Sequence, residues 1–158
     1  AERFSKIGST SELKQNDLIQ TTQQTIYYIS QRISKGIEVN FNSDVEEYMI
    51  QLNASLYSWV LENLMKNAAD AMQNKGVLDI EIKTKAKYVE VSISDTGSGI
   101  PLKLQKKIFE PGFTTKKRGW GLGLSLAKRI IEEYHNGKIF VEKSSKETGT
   151  PFKILLKK

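Results

Sequence analysis

The sequence predicts a single α+β domain, and three observations predict it. Its 158 residues are the size of one ordinary domain, with 39% hydrophobic residues to fill a core. Three segments repeat apolar residues at helical spacing, and six shorter ones alternate apolar and polar residues as half-buried strands do. Two of those strands are joined only by Lys85-Ala86-Lys87, which reads as the turn of a hairpin.

In chain order, residues 1–16 (AERFSKIGSTSELKQN) begin helix-compatible and become Gly/Ser/Thr-rich, so they read as the end of an upstream helix and a linker. The domain is expected to start at Asp17. From there Leu18, Ile26, Ile29 and Ile33, with Tyr27 and Tyr28 between them, fit a helix that stops before Gly36. Ile37 to Phe41 alternates with period two, and Tyr48 to Leu52 is expected to form a second strand. Ser55 to Met72 carries the longest helical signal, with Tyr57, Val60, Leu61, Leu64, Ala68 and Met72 on one stripe, and Lys75-Gly76 ends it. The hairpin strands are Val77 to Thr84 and Tyr88 to Ser94. Residues 95–121 are rich in glycine and basic residues and hold two of the three prolines, which predicts a long loop of the functional or disordered kind. Helix returns from Leu122 to Tyr134 and stops at Asn136-Gly137. Strands from Lys138 to Lys143 and Phe152 to Leu156 then close the chain.

Composition removes several chemistries. With no cysteine there is no disulfide framework, thiolate metal site or cysteine nucleophile, and with His135 as the single histidine a multi-histidine metal site or a Ser/His/Asp system has no support. No apolar run approaches the roughly 18 residues of a membrane span, and the N-terminus lacks the apolar centre of a signal peptide, so the chain reads as soluble and cytoplasmic. Asn53-Ala54-Ser55 fits a glycosylation sequon, discarded because nothing else indicates secretion. A net charge of +6 favours anionic partners without choosing among nucleic acid, phosphates and acidic proteins.

Four segments could carry chemistry. On the long helix Asn63, Asn67 and Asp70 fall within an arc of roughly 60° at about 100° per residue. Interior asparagines are poor helix formers, so the ridge is either a solvated face or a set of oxygen ligands for a hard cation such as Mg²⁺. Asp95-Thr96-Gly97-Ser98-Gly99-Ile100-Pro101 follows a strand directly. Its two glycines let a ligand approach the backbone, although an Asx turn reads the same way. In Gly119-Trp120-Gly121-Leu122-Gly123-Leu124 glycines at alternate positions run into a helix, whose free N–H groups and dipole attract phosphate; a hinge packed on a strand is the alternative. Between these lies Ile108-Phe109-Glu110-Pro111-Gly112-Phe113-Thr114-Thr115-Lys116-Lys117-Arg118. It reads as a flap whose Phe side chains dock on the protein while its basic end meets an anion.

In this order, the asparagine helix, DTGSGIP, FEPGFTTK and GWGLGLSLAKRI resemble the nucleotide-binding signature of sensor histidine kinases within the GHKL ATPase superfamily, over about residues 17–158. The resemblance implies the Bergerat fold: a two-layer α/β sandwich with a mixed sheet of five or more strands and about three helices on one face. It implies Mg-ATP as ligand, with a lid at about residues 102–120. By it Asn67 would coordinate Mg²⁺, Asn63 would sit near the γ-phosphate, and Lys66, Asp70 and Ala71 would line the same ridge. Asp95 would accept a hydrogen bond from the adenine amino group, Gly97 and Gly99 would keep the adenine edge open, and Ile100 would pack on the base. Phe109, Thr114, Thr115 and Lys116 would serve the nucleotide from the lid. Backbone N–H groups at Gly119, Gly121, Leu122, Gly123 and Leu124 would meet the phosphates, and Thr150 would lie near the adenine. Asn63, Lys66 and Lys116 are the residues it implies for catalysis.

Two positions depart from the pattern. Trp120 stands where smaller residues are usual, and Asp70 resembles the subgroup with an acidic residue there, which suits a metal contact through water. The implied function is transfer of the γ-phosphoryl to a histidine on a dimerisation domain, followed downstream by a response regulator, in a parent protein that is membrane-anchored in some family members. The acceptor histidine is absent from this chain, because His135 matches a histidine at a helix end and reads as structural. Residues 1–8 resemble the end of that dimerisation domain. The alternative is another GHKL ATPase or a serine-phosphorylating anti-sigma kinase; a nucleic-acid partner, suggested only by charge, ranks last and is not expected.

Overall fold

The computed structural model describes residues 12–97, 104–110, 123–142 and 150–158, with only the backbone at Thr150. In chain order the described elements are β1 (Lys14–Asp17), α1 (Leu18–Ser30), β2 (Ile37–Ser43), β3 (Met49–Leu52), α2 (Ala54–Ala71), β4 (Gly76–Thr84) and β5 (Tyr88–Asp95). A 3₁₀ turn at Lys107–Phe109 follows, then α3 (Gly123–Arg129), which runs on as a π-helical stretch at Ile130–Tyr134, then β6 (Lys138–Val141) and β7 (Thr150–Lys157).

Alternation builds the main sheet, of order β2-β4-β5-β7-β6. Leu78, Ile80 and Ile82 of β4, Val89, Val91 and Ile93 of β5, and Phe152, Ile154 and Leu156 of β7 are buried on one face. The helices cover that face. On the other, Lys153 lies 3.5 Å from Glu90 and 3.9 Å from Glu142. β2 and β4 are parallel, which requires a crossover connection, here the one through β3 and α2, and the other pairs in this sheet are antiparallel. The expected two-layer fold, with a mixed sheet of five strands and three helices, is therefore the one observed.

Helix α2 forms where the apolar stripe lies. Asn53 caps it, its side-chain oxygen accepting the Leu56 N–H at 3.0 Å, and Leu56, Tyr57, Val60, Leu61, Leu64, Met65, Ala68 and Ala69 are buried. Against α1 the contact is partly polar: the Thr22 and Tyr57 hydroxyls lie 2.7 Å apart and Thr25 donates to the Ser58 hydroxyl at 2.9 Å. Burial pushes the Tyr57 phenol strongly upward from its ordinary value, so it stays a neutral hydrogen-bonding group.

Three elements differ from the sequence reading. β1 includes Lys14, Gln15 and Asn16, which read as linker, and pairs antiparallel with β3, Lys14 opposite Leu52. It has no apolar residue to betray it. Side chains hold it instead, with Asn16 donating to the Leu52 carbonyl at 2.9 Å and Asp17 accepting from the Ile19 and Tyr48 N–H groups at 3.0 Å each. α1 ends at Ser30 rather than running on towards Gly36, and Ile33 packs against the core from beyond its end. The third helix changes to π geometry after Arg129. Lys143, the expected end of β6, and most of the expected lid lie outside the described residues.

Candidate functional site

The C-terminal half of α2, the end of β5 and the start of α3 meet at one place. Asn63 and Asn67 are half-buried on α2, with Lys66, Asp70 and Ala71 exposed along the same stretch. Lys66 reaches Glu62 at 3.6 Å, an i,i+4 pair on the surface. Asp95 closes β5 and is buried, its Oδ1 accepting the Gly97 N–H at 2.7 Å. That Asx turn needs glycine: a Cβ at Gly97 would stand 2.7 Å from the Ala71 carbonyl oxygen and 2.9 Å from Asp95 Oδ1. The strand end is thus pressed against the last residue of α2. Thr96 ties the same corner, its hydroxyl accepting the Val77 N–H at 3.1 Å.

At the other side of the ridge α3 begins on top of Asn63. A Cβ at Gly123 would lie 2.6 Å from Asn63 Oδ1 and 2.9 Å from its Nδ2. The Asn63 Nδ2 is buried and has no hydrogen-bond partner among the described residues. A buried orphan donor costs about 1–3 kcal/mol, and native proteins keep few of them. Leu124, next along α3, packs half-buried against the core.

Phe109 is buried, edge-on to Phe152 at 6.2 Å between ring centroids and with the Lys128 ammonium 5.9 Å from its ring. The sequence reading expects both Phe side chains of this segment to dock on the protein; Phe109 does, and Phe113 lies outside the described residues. The β5–β7 register sets the Thr150 backbone directly opposite Asp95. Gly99, Ile100, Thr114, Thr115, Lys116, Gly119, Gly121 and Leu122 lie outside the described residues, as does the Thr150 side chain. Among the described residues no three His, Cys, Asp or Glu side chains gather as a metal site, so a cation here would depend on amide oxygens, water and the ligand itself.

His135 is built in as a structural residue. It is buried; its Nδ1 lies 2.9 Å from the Ile130 carbonyl and its Nε2 accepts the Asn53 N–H at 3.1 Å. Those partners define the neutral Nδ1–H tautomer. Burial, only partly opposed by the backbone hydrogen bond, holds its pKa below the ordinary histidine value. With a folded pKa below the unfolded one, His135 contributes stability that is fully present above about pH 6.5 and is lost as pH falls through the folded value. Urea unfolding between about pH 7 and 5 is therefore expected to lose less stability in His135→Gln than in the parent; equal slopes would count against this reading. Asn53, its partner, was read in the sequence only as part of a chance sequon. Its position just before an apolar-periodic run is the helix-cap signature that could have marked it.

A polar groove of about 960 Å³ runs between β1, α1 and the first half of α2, lined by residues such as Thr21, Gln24, Tyr28 and Ser58. It does not include Asp95 or Asn67.

Comparison with known proteins agrees with this fold. Residues 53–158 match the family model described as histidine kinase-, DNA gyrase B-, and HSP90-like ATPase. Sporulation kinase A of Bacillus subtilis is 40% identical over 119 residues, covering 75% of this chain and 19% of that protein. The catalytic domain of histidine kinase ThkA, solved in a nucleotide-free form, is 33% identical with a TM-score of 0.85, covering 93% of this chain and 96% of that one. The structure of histidine kinase ThkA in complex with response regulator protein TrrA gives 31% identity and a TM-score of 0.80, over 92% of this chain and 42% of that one. The chain spans between 19% and 27% of the length of the first curated relatives it matches. No helix among the described residues is long and apolar enough to cross a membrane.

Proposed function

The chain belongs to the histidine kinase-, DNA gyrase B- and HSP90-like ATPase family and corresponds to the catalytic domain of sensor histidine kinases, and from that premise we propose that it binds Mg-ATP and presents the γ-phosphoryl to a histidine on a dimerisation domain of the same kinase. The observation that carries the reading is Asn63. Its buried donor has no partner among the described residues and lies where α3 begins with a residue that has no side chain. Such a donor suits a site whose missing partner is a phosphate oxygen or a metal-bound water.

The roles are those that the family resemblance implies. Asp95, fixed by the Gly97 N–H, accepts from the adenine amino group, and Ile100 packs on the base. Asn67 would hold Mg²⁺, with Asp70 as a water-mediated partner, and the ion would neutralise phosphate charge. Asn63 and Lys66 face the phosphates from α2. Gly119, Gly121, Leu122, Gly123 and Leu124 offer backbone N–H groups, and Thr114, Thr115 and Lys116 close from the lid that Phe109 anchors. Phosphoryl transfer rests mainly on positioning and charge stabilisation, so this set needs no strong base. The kinase would act in the cytoplasm and pass its phosphoryl group to a response regulator, as the ThkA–TrrA complex supports.

Incubation with γ-labelled ATP tests the proposal. The chain alone should remain unlabelled, and addition of a helical domain bearing the acceptor histidine should give label that acid removes and base retains. Acid-stable label on serine would favour the anti-sigma kinase alternative, and label on His135 would overturn the structural reading of that residue.

A further inference from the structure

Helices α2 and α3 are fastened to one another at two points. At one end Gly123 rests on the Asn63 amide; at the other His135 Nε2 takes the Asn53 N–H. From Gly123 to His135 the chain advances twelve residues, about 18 Å at helical rise, and from Asn53 to Asn63 ten residues, about 15 Å. The spans match, so the helices lie antiparallel with a fastening at either end. One fastening would leave α3 free to slide or swing along α2. Two fix the register at which Gly123 sits over Asn63.

The π-helical stretch Ile130–Tyr134 lies next to the second fastening. His135 Nδ1 bonds back to the Ile130 carbonyl, five residues earlier, and the Gly137 N–H donates to the Ile131 carbonyl at 2.9 Å. A Cβ at Gly137 would stand 2.3 Å from the Leu155 carbonyl, so the chain must turn tightly here to bring the ring to Asn53. Stretches of π-helix are rare and occur often at functional sites. Asn53 itself joins three parts of the molecule: its N–H goes to His135, its Oδ1 caps α2, and its Nδ2 donates to the Glu12 carbonyl at 3.2 Å.

We propose that His135, acting through Asn53, is a positioning residue for the nucleotide site, holding α3 at the register that places its N-terminus over Asn63. The proposal rests on the nucleotide reading above and assigns the bond a part in ligand affinity as well as in folding. By linkage, a bond that favours the binding-competent register must in turn be strengthened by nucleotide.

Three variants of the full chain test this. His135→Phe keeps the ring's volume and removes the acceptor, His135→Gln restores an acceptor, and Ile82→Val, buried on β4 away from the site, controls for lost stability. By calorimetry with a non-hydrolysable ATP analogue and Mg²⁺, the Phe variant should bind about 5- to 10-fold more weakly, the range a lost hydrogen bond provides. The Gln variant should recover to within about twofold, and Ile82→Val should bind as the parent does. Should the Phe variant not fold, exchange of the Asn53 amide in the unmodified chain decides, since saturation with the analogue should slow it by the same factor. Equal binding by a folded Phe variant and the parent, or an Asn53 exchange rate indifferent to nucleotide, overturns the proposal alone. No binding by the unmodified chain overturns the nucleotide reading with it.

Discussion

Asp95→Ala is expected to weaken ATP binding by about 10- to 150-fold, the equivalent of the roughly 1.5–3 kcal/mol that a hydrogen bond to a charged group contributes. Two losses combine. The buried carboxylate proposed to receive the adenine amino group disappears, and the Gly97 N–H, held at 2.7 Å by Asp95 Oδ1, loses its acceptor. The turn beyond β5 is then no longer pinned against Ala71. Asp95→Asn separates the two effects: its amide oxygen can still accept from Gly97, while its neutral group is a weaker acceptor for the base. The Asn variant should therefore fall between the parent and the Ala variant in affinity while unfolding close to the parent. The check is calorimetric titration with ATP and GTP analogues alongside thermal unfolding. An unmodified chain that binds both nucleotides equally would remove adenine recognition from Asp95, and an Ala variant that binds ATP like the parent would do the same.

How much of this was legible in advance depends on the range of the interactions. α2 could be read because its stripe is local; Tyr57, Val60, Leu61, Leu64, Ala68 and Met72 all turn out buried. The hairpin and the position of Asp95 at a strand end were legible for the same reason. β1 was not, since Lys14-Gln15-Asn16-Asp17 carries no periodic signal and exists through pairing with β3, more than thirty residues away. The π-helical stretch was equally hidden: the residues after Arg129 have ordinary helix-forming character, and what reshapes them is a tight turn against β7 and a histidine whose partner is 82 positions distant. In the site, the ridge of Asn63, Asn67 and Asp70 followed from helical geometry alone. The meeting of Asn63 with Gly123 did not, because sixty residues of chain, with the β4–β5 hairpin among them, intervene.

That meeting gives the second large effect. Asn63→Ala is expected to lower phosphoryl transfer by about 10²- to 10³-fold, the scale of losing one preorganised donor at developing charge. Yet it should leave the ligand-free protein as stable as the parent or slightly more so. Truncating a half-buried side chain ordinarily destabilises through lost packing. Here the lost atoms include a buried Nδ2 without a partner among the described residues, whose removal returns about 1–3 kcal/mol, and alanine adds a few tenths of a kcal/mol of helix propensity over asparagine. The lost contact with Gly123 opposes these gains without outweighing them. In a domain of this size a net gain of about 1 kcal/mol raises the thermal midpoint by roughly 2–4 °C. Thermal scans with and without Mg and an ATP analogue separate the two halves of the expectation. The parent should start lower and rise with nucleotide, because the ligand binds only the folded form, whereas the variant should start level or higher and hardly move. A midpoint several degrees below the parent's would mean that the amide is satisfied in the free protein. A full nucleotide-induced rise in the variant would mean that Asn63 does not serve the phosphates. The pairing of a stability gain with a functional loss distinguishes a site that holds an unsatisfied donor ready for its ligand from one whose residues merely pack.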